Sequence, residues 1–480
     1  MKTTKRAKRT SFFSELQIKT QIGLVIVIAT LVFFANPGFS QTPELFEEKV
    51  LLNTISAPCG FSFINDNEVL FTEKRGKVYR YIMSTNSLIE ISGVPTVSQN
   101  GQGGLLDIAL HPNFRSNNFV YLTYAVVATG GQTTALGRGK LVDNQLQNFT
   151  ELFRALPILN SGIHFGSRIV FDNNNFLYMS VGDRGVQDSA QGKNSHLGKV
   201  LRFNDDGTVP VSNPLVGVPN TKPEIYCWGN RNIQGMAMHP STGEIYAHEH
   251  GPKGGDELNL IKPNTNYGWP TVTFGVNYNG TPITPDTTLP GMQLPLTYWV
   301  PSIAPSGMTF IRNGQPNNEA DILIGALVGT HIHWLKTKDG KKVSSTRSMN
   351  GYARFRDIRQ APGGKIYAMT ETPNRFVLLR SSVPIVTSIE DEIRVEEEKN
   401  KLYPNPSNGE STLSFYVTNN QFVSVKIFNA NGLLIQELTS KTYSIGKHLL
   451  LIESDKLPQG LYIIEIDKGD SKSVLKFIKM

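Results

Sequence analysis

Cysteine is nearly missing from this chain of 480 residues, which has only Cys59 and Cys227. Two thiols cannot staple a disulfide framework, and no CxxC or Cys/His cluster offers zinc a tetrahedral set. In an exported chain the pair could form one bridge, if their Cα atoms lie within about 7 Å, or stay as two buried thiols; the sequence leaves both open. Concentrated positive charge is also scarce. The formal charge is +7, but residues 1–40 hold six Lys/Arg against Glu15, which leaves +2 for the rest. With no basic run in its body, the chain gives no electrostatic reason to expect nucleic acid or acidic membranes as partners. Long apolar runs are equally few. Ile22 to Ala35 is the one candidate, and as a helix it covers about 21 Å, short of a hydrocarbon core of about 30 Å, so no stable transmembrane span is expected.

What that run does resemble in plan is a secretory signal: a basic N-terminus, a short apolar stretch, and small residues at Gly38 and Ser40 before Gln41. Residues 1–40 therefore read as a signal peptide cut after Ser40. The remaining chain is long enough to bury a large core, and its 43 glycines favour turns and strands over long helices. Six times an apolar strand is followed by an Asn/Asp/Gly turn and a second strand, starting at Gly60, Leu105, Ser167, Gly235, Gly307 and Phe355. Period-two patterning with such turns predicts β-hairpins. Recurrence over more than 300 residues predicts a six-bladed β-propeller over 41–384, an all-β fold.

Polar residues gather at the edges of these repeats, where a propeller brings loops to one end of its axis. Gln102 stands before the second repeat and His164 before the third. Arg231 and Asn232 precede the fourth; Gly251, Pro252, Asp256 and Glu257 follow its hairpin. Trp299 precedes the fifth, and Arg354 and Arg356 open the sixth. Glycine and proline at a strand end can aim backbone carbonyls at a hard cation that carboxylates complete, and arginine offers a planar fork to an anion. His331 and His333 share one strand face, two possible metal ligands without an evident third.

These motifs, in this order across about residues 45–385, resemble the soluble pyrroloquinoline-quinone (PQQ) glucose and aldose sugar dehydrogenases. The resemblance implies oxidation of the anomeric carbon of an aldose to a lactone, with electrons passed to an external acceptor. It gives catalytic roles to His164 as general base, with Arg231 and Gln102. It implies cofactor contacts at Gln102, Arg231, Asn232, Trp299, Arg354 and Arg356, and a Ca²⁺ site at Gly251 and Pro252 with Asp256 and Glu257. Proton removal suits a neutral imidazole. One departure stands out: where the family carries a lysine in the fifth repeat, this chain has Val328. The superfamily also resembles the Hedgehog-interacting proteins, so a non-catalytic secreted propeller that binds carbohydrate or protein is the alternative.

After Ser382 the composition turns acidic, and 385–401 reads as a solvated linker. Residues 402–480 carry Tyr403-Pro404-Asn405-Pro406, a Leu457-to-Tyr462 turn and strands near Val423–Phe428, His448–Ile452 and Leu461–Ile466. They are expected to form a small C-terminal β-sandwich. This stretch resembles the C-terminal sorting domain of the type IX secretion system, which implies passage through the periplasm to the surface or medium, with the secretion machinery as a partner.

Overall fold

A computed structural model describes residues 45–312, 318–381, 400–417, 421–444, 446–468 and 472–480. The signal peptide and most of the linker expected from the sequence lie outside the described residues. Among those described, no helix is long and apolar enough to cross a membrane.

Six four-stranded antiparallel sheets follow one another along residues 46–381. Five are built from consecutive strands. Blade 1 starts with Pro58–Asn65, blade 2 with Leu105–Leu110, blade 3 with Ile169–Phe171, blade 4 with Ile233–Met238 and blade 5 with Pro305–Ile311. These first strands, which lie at one edge of each sheet, coincide with the hairpins legible in the sequence. Blade 6 differs: Arg354–Gln360, Ile366–Glu371 and Arg375–Ser381 supply three strands, and the fourth is Phe46–Leu52 from the start of the described chain. It pairs in the register Phe46↔Ser381 to Val50↔Val377. Joining the first and last segments in one sheet closes the ring and leaves no dangling edge. Phe46 is buried and stacks on Trp334 of blade 5, with ring centroids 5.6 Å apart.

A buried ion network ties the first strands together near the axis. Arg359 donates to Asp107 (2.9 Å) and Asp357 (3.0 Å), while Arg168 lies 3.5 and 3.6 Å from the same two carboxylates. Asp107 also accepts from the Ile169 amide and Asp357 from the Phe61 amide. Blades 1, 2, 3 and 6 thus share one set of charges, in which each buried carboxylate has cationic and amide partners. The strands approach so closely that a Cβ on Gly60 would lie 2.4 Å from Asp107 Oδ1 and one on Gly307 2.4 Å from Asp357 Oδ1, positions only glycine can fill. Apolar side chains fill the space between blades, as where Phe61 meets Phe376 edge-on at 5.4 Å. Cys59 and Cys227 are both free thiols, which settles the alternative the sequence left open.

The C-terminal segment forms two sheets, one of Lys401–Tyr403, Ser411–Val417 and Gly446–Ile452, the other of Leu434–Tyr443, Gln421–Asn429, Gly460–Asp467 and Lys472–Lys479. Their inward residues, Leu413, Phe415, Val425, Ile427, Ile464 and Phe477 among them, form one fully buried core. This is the small β-sandwich.

Candidate active site

Loops entering the first strands surround a cavity of about 380 Å³. Gln102, Asn232, Arg354 and Arg356 all line it, although 254 positions separate the first from the last. Arg354 and Arg356 lie two apart on a strand, so both side chains reach the same neighbour. Glu371 accepts from Arg354 Nε (3.4 Å) and Arg356 Nε (2.7 Å), and Arg354 also donates to the Leu327 carbonyl. Val328, 52% exposed, forms an uncharged part of the wall.

His164 stands beside Phe165, a lining residue, with its backbone held in the left-handed region at φ 52°. Two contacts fix it. Its amide donates to Gln102 Oε1 (2.8 Å), and its Nδ1 lies 2.6 Å from Asp183 Oδ1. Asp183 was not singled out in the sequence, although it sits at a strand end in the third repeat, a position of the kind used for the other candidates. Its carboxylate also accepts from the Gly185 amide (2.9 Å) and Trp269 Nε1 (2.8 Å). Burial works to raise the Asp183 carboxyl, but His164, the Gly185 amide and Arg231 together take it below the ordinary carboxylate value. An ionised carboxylate on Nδ1 orients the ring, fixes Nδ1 as the protonated nitrogen, and leaves Nε2 as the basic one.

Arg231 reaches this group through its backbone. Its carbonyl accepts from the Asp183 amide (2.7 Å), and its guanidinium packs over Trp269, 5.3 Å from the ring centre, while donating to the carbonyls of His250 (3.0 Å) and Gly251 (2.7 Å). His164 and Arg231 are therefore joined by Asp183 and Trp269.

The residues expected around a metal separate into two groups. Gly251 and Glu257, with Arg231 and Glu249, line a second, smaller cavity. Burial raises the carboxyls of Glu249 and Glu257, and the charge of Glu257 adds to the rise at Glu249. Two buried carboxylates and the Gly251 carbonyl are hard-oxygen donors, but among the described residues no group of three or more His, Cys, Asp or Glu side chains gathers to hold a metal ion, and that carbonyl accepts from the Arg231 guanidinium. Pro252 is buried and adjacent, packed against Gly275. Asp256 is a correction to the sequence reading. Its oxygens accept from the Gly251 amide, Ser302 Oγ and the amides of Ile303 and Ala304, all at 2.7–2.9 Å, so it pins two loops together. Trp299 is the second correction. It lies on the last strand of blade 4, at the edge of the sheet opposite Ile233–Met238, and its indole packs in the interblade core, 5.5 Å from the His333 ring, away from the cavity. His331 and His333 are buried there too, and burial lowers both, His333 to about 3.

Among known proteins, a sequence model of glucose/sorbosone dehydrogenases matches residues 55–379, and one of a secretion system C-terminal sorting domain matches residues 401–480. The aldose sugar dehydrogenase YliI of Escherichia coli is 35% identical over 337 residues, covering 68% of this chain and 91% of that protein. Quinoprotein glucose dehydrogenase B of Acinetobacter calcoaceticus is 30% identical over 284 residues, 52% of this chain and 58% of that one. Among solved structures, the PQQ-bound aldose sugar dehydrogenase of Streptomyces coelicolor superposes with a TM-score of 0.58 at 26% identity, covering 70% of this chain and 99% of that one.

Proposed function

The chain belongs to the glucose/sorbosone dehydrogenase family, and from that premise we propose that it is a secreted PQQ-dependent enzyme that oxidises the anomeric carbon of aldoses to lactones. The observation that carries this reading is the His164–Asp183 pair beside a cavity whose ionisable lining is mostly cationic. Arg354, Arg356 and Asn232 are suited to hold the carboxylates of a tricarboxylic quinone, and Gln102 to hold a quinone or sugar oxygen while it positions the His164 backbone. When bound, the quinone supplies a carbonyl carbon that accepts hydride. Nε2 of His164 takes the proton of the anomeric hydroxyl. Asp183 keeps Nδ1 protonated and stabilises the imidazolium that results. Arg231 braces both Asp183 and the Gly251 loop, and Gly251, Pro252 and Glu257 are the proposed Ca²⁺ ligands. Turnover would also require an acceptor outside the chain to reoxidise the bound quinone.

The match of residues 401–480 to a sorting domain supports export by the type IX system to the cell surface or medium, after removal of residues 1–40. Val328 favours a second reading, in which the propeller only binds carbohydrate or protein. Reconstitution separates the two. The mature chain with PQQ and Ca²⁺ is expected to reduce a dye with aldoses, and His164→Ala to lose this activity. Undiminished turnover in His164→Ala would remove the mechanism, and a wild type that neither reduces dye nor changes the quinone absorbance would leave the binder.

A further inference from the structure

Four cationic side chains border the main cavity, and three already face carboxylates. Arg354 and Arg356 share Glu371, and Arg168 faces Asp107 and Asp357. Lys74 is different. Among the described residues it has no carboxylate within ion-pair distance, and its Nζ donates to one group, the Gly101 carbonyl at 2.8 Å. An ammonium carries three N–H donors, so two are left to turn to the cavity or to water.

The backbone beneath this side chain is firmly held. The Lys74 amide donates to the Ala57 carbonyl (3.0 Å), and its own carbonyl accepts from the Leu105 amide (3.0 Å). Gly104 packs so close that a Cβ there would lie 2.3 Å from that carbonyl oxygen. These contacts fix the backbone, and the ammonium at the end of its four-carbon stem is placed by its contact with the Gly101 carbonyl. Its acceptor, Gly101, directly precedes Gln102, whose side chain accepts from His164. Lys74 thus stands on the His164 side of the cavity, while Val328 contributes no charge to the wall.

We propose that Lys74 binds a carboxylate of the ligand that fills this cavity, an inference that rests on the quinone-dehydrogenase reading above. The carboxylate has two possible sources, the quinone itself or an acidic aldose of the uronic-acid class. The mature chain is compared as wild type, Lys74→Met and Lys74→Arg, each checked for an unchanged thermal midpoint. PQQ is titrated into each protein with Ca²⁺ present and binding is followed by protein fluorescence. KM is then measured for glucose and for glucuronate.

If the quinone supplies the carboxylate, Lys74→Met weakens its binding about tenfold, the loss of one charge-assisted contact, and Lys74→Arg stays close to wild type. If the sugar supplies it, quinone affinity is unchanged and KM rises about tenfold for glucuronate alone. Quinone affinity and both KM values unchanged in Lys74→Met overturn the proposal while leaving the enzyme reading intact. A wild type that takes up no quinone overturns both.

Discussion

Replacing Asp183 by asparagine probes the proposed base without emptying its site. The side chain keeps its size, and its amide oxygen can still accept from Trp269 Nε1 or the Gly185 amide, 2.8 and 2.9 Å away in the native chain. At the 2.6 Å contact with His164 Nδ1, either of two things must happen. If the amide NH₂ turns to the ring, Nδ1 becomes the acceptor, the proton moves to Nε2, and the base is blocked; if the oxygen does, the imidazolium loses a full counter-charge. General-base catalysis is worth about 10² to 10⁴ in rate, and a comparable substitution in a Ser-His-Asp triad costs about 10⁴. A fall in kcat of at least about 10² is expected, with quinone affinity within a few-fold of wild type. Because both residues act as one unit, His164→Ala and His164→Ala/Asp183→Asn should have equal residual rates. Steady-state dye reduction with glucose reads both quantities. A kcat for Asp183→Asn within threefold of wild type would refute the role given to the pair.

Stability carries further consequences. The Asp183 carboxyl lies below its ordinary value of 3.8 in the folded chain, so its contribution is present above about pH 4 and is lost as pH falls through the folded value. The stability gap between wild type and Asp183→Asn, measured by urea unfolding, should narrow as pH falls below about 4. Phe46→Ala removes the buried ring that stacks on Trp334 and should cost about 3 to 5 kcal/mol, read as a lower urea midpoint; a change under 0.5 kcal/mol would mean the closing strand contributes little. Calcium at a hundred times its Kd should stabilise the propeller by about 2.7 kcal/mol. EGTA should reverse that increment, and Glu257→Gln should abolish it if this carboxylate is a ligand.

The blades were legible because each is a local hairpin, with turn residues and alternation inside one short window. The closing strand was not, since Phe46–Leu52 earns its place only by pairing with residues more than 320 positions away. The same division runs through the site. Gln102, His164, Asn232 and the two arginines could be picked out as polar residues at repeat edges. Asp183, Glu371 and Lys74 also stand at strand ends, but their importance comes from partners in other repeats or other strands, which sequence does not display. Trp299 and Asp256 show the opposite failure. Each lies at a strand end of the right repeat, yet the indole stands on the sheet's outer strand and packs into the core, and four nearby donors occupy the carboxylate.

The most direct measurement is a single turnover without any external acceptor. The mature chain loaded with PQQ and Ca²⁺ is mixed anaerobically with glucose or with its C1-deuterated form, and the quinone absorbance is followed. The account predicts that glucose bleaches the quinone, that deuterium slows the bleaching, and that His164→Ala slows it at least about 10²-fold. Bleaching at the wild-type rate in His164→Ala, or none in a wild type shown to hold quinone, would contradict it.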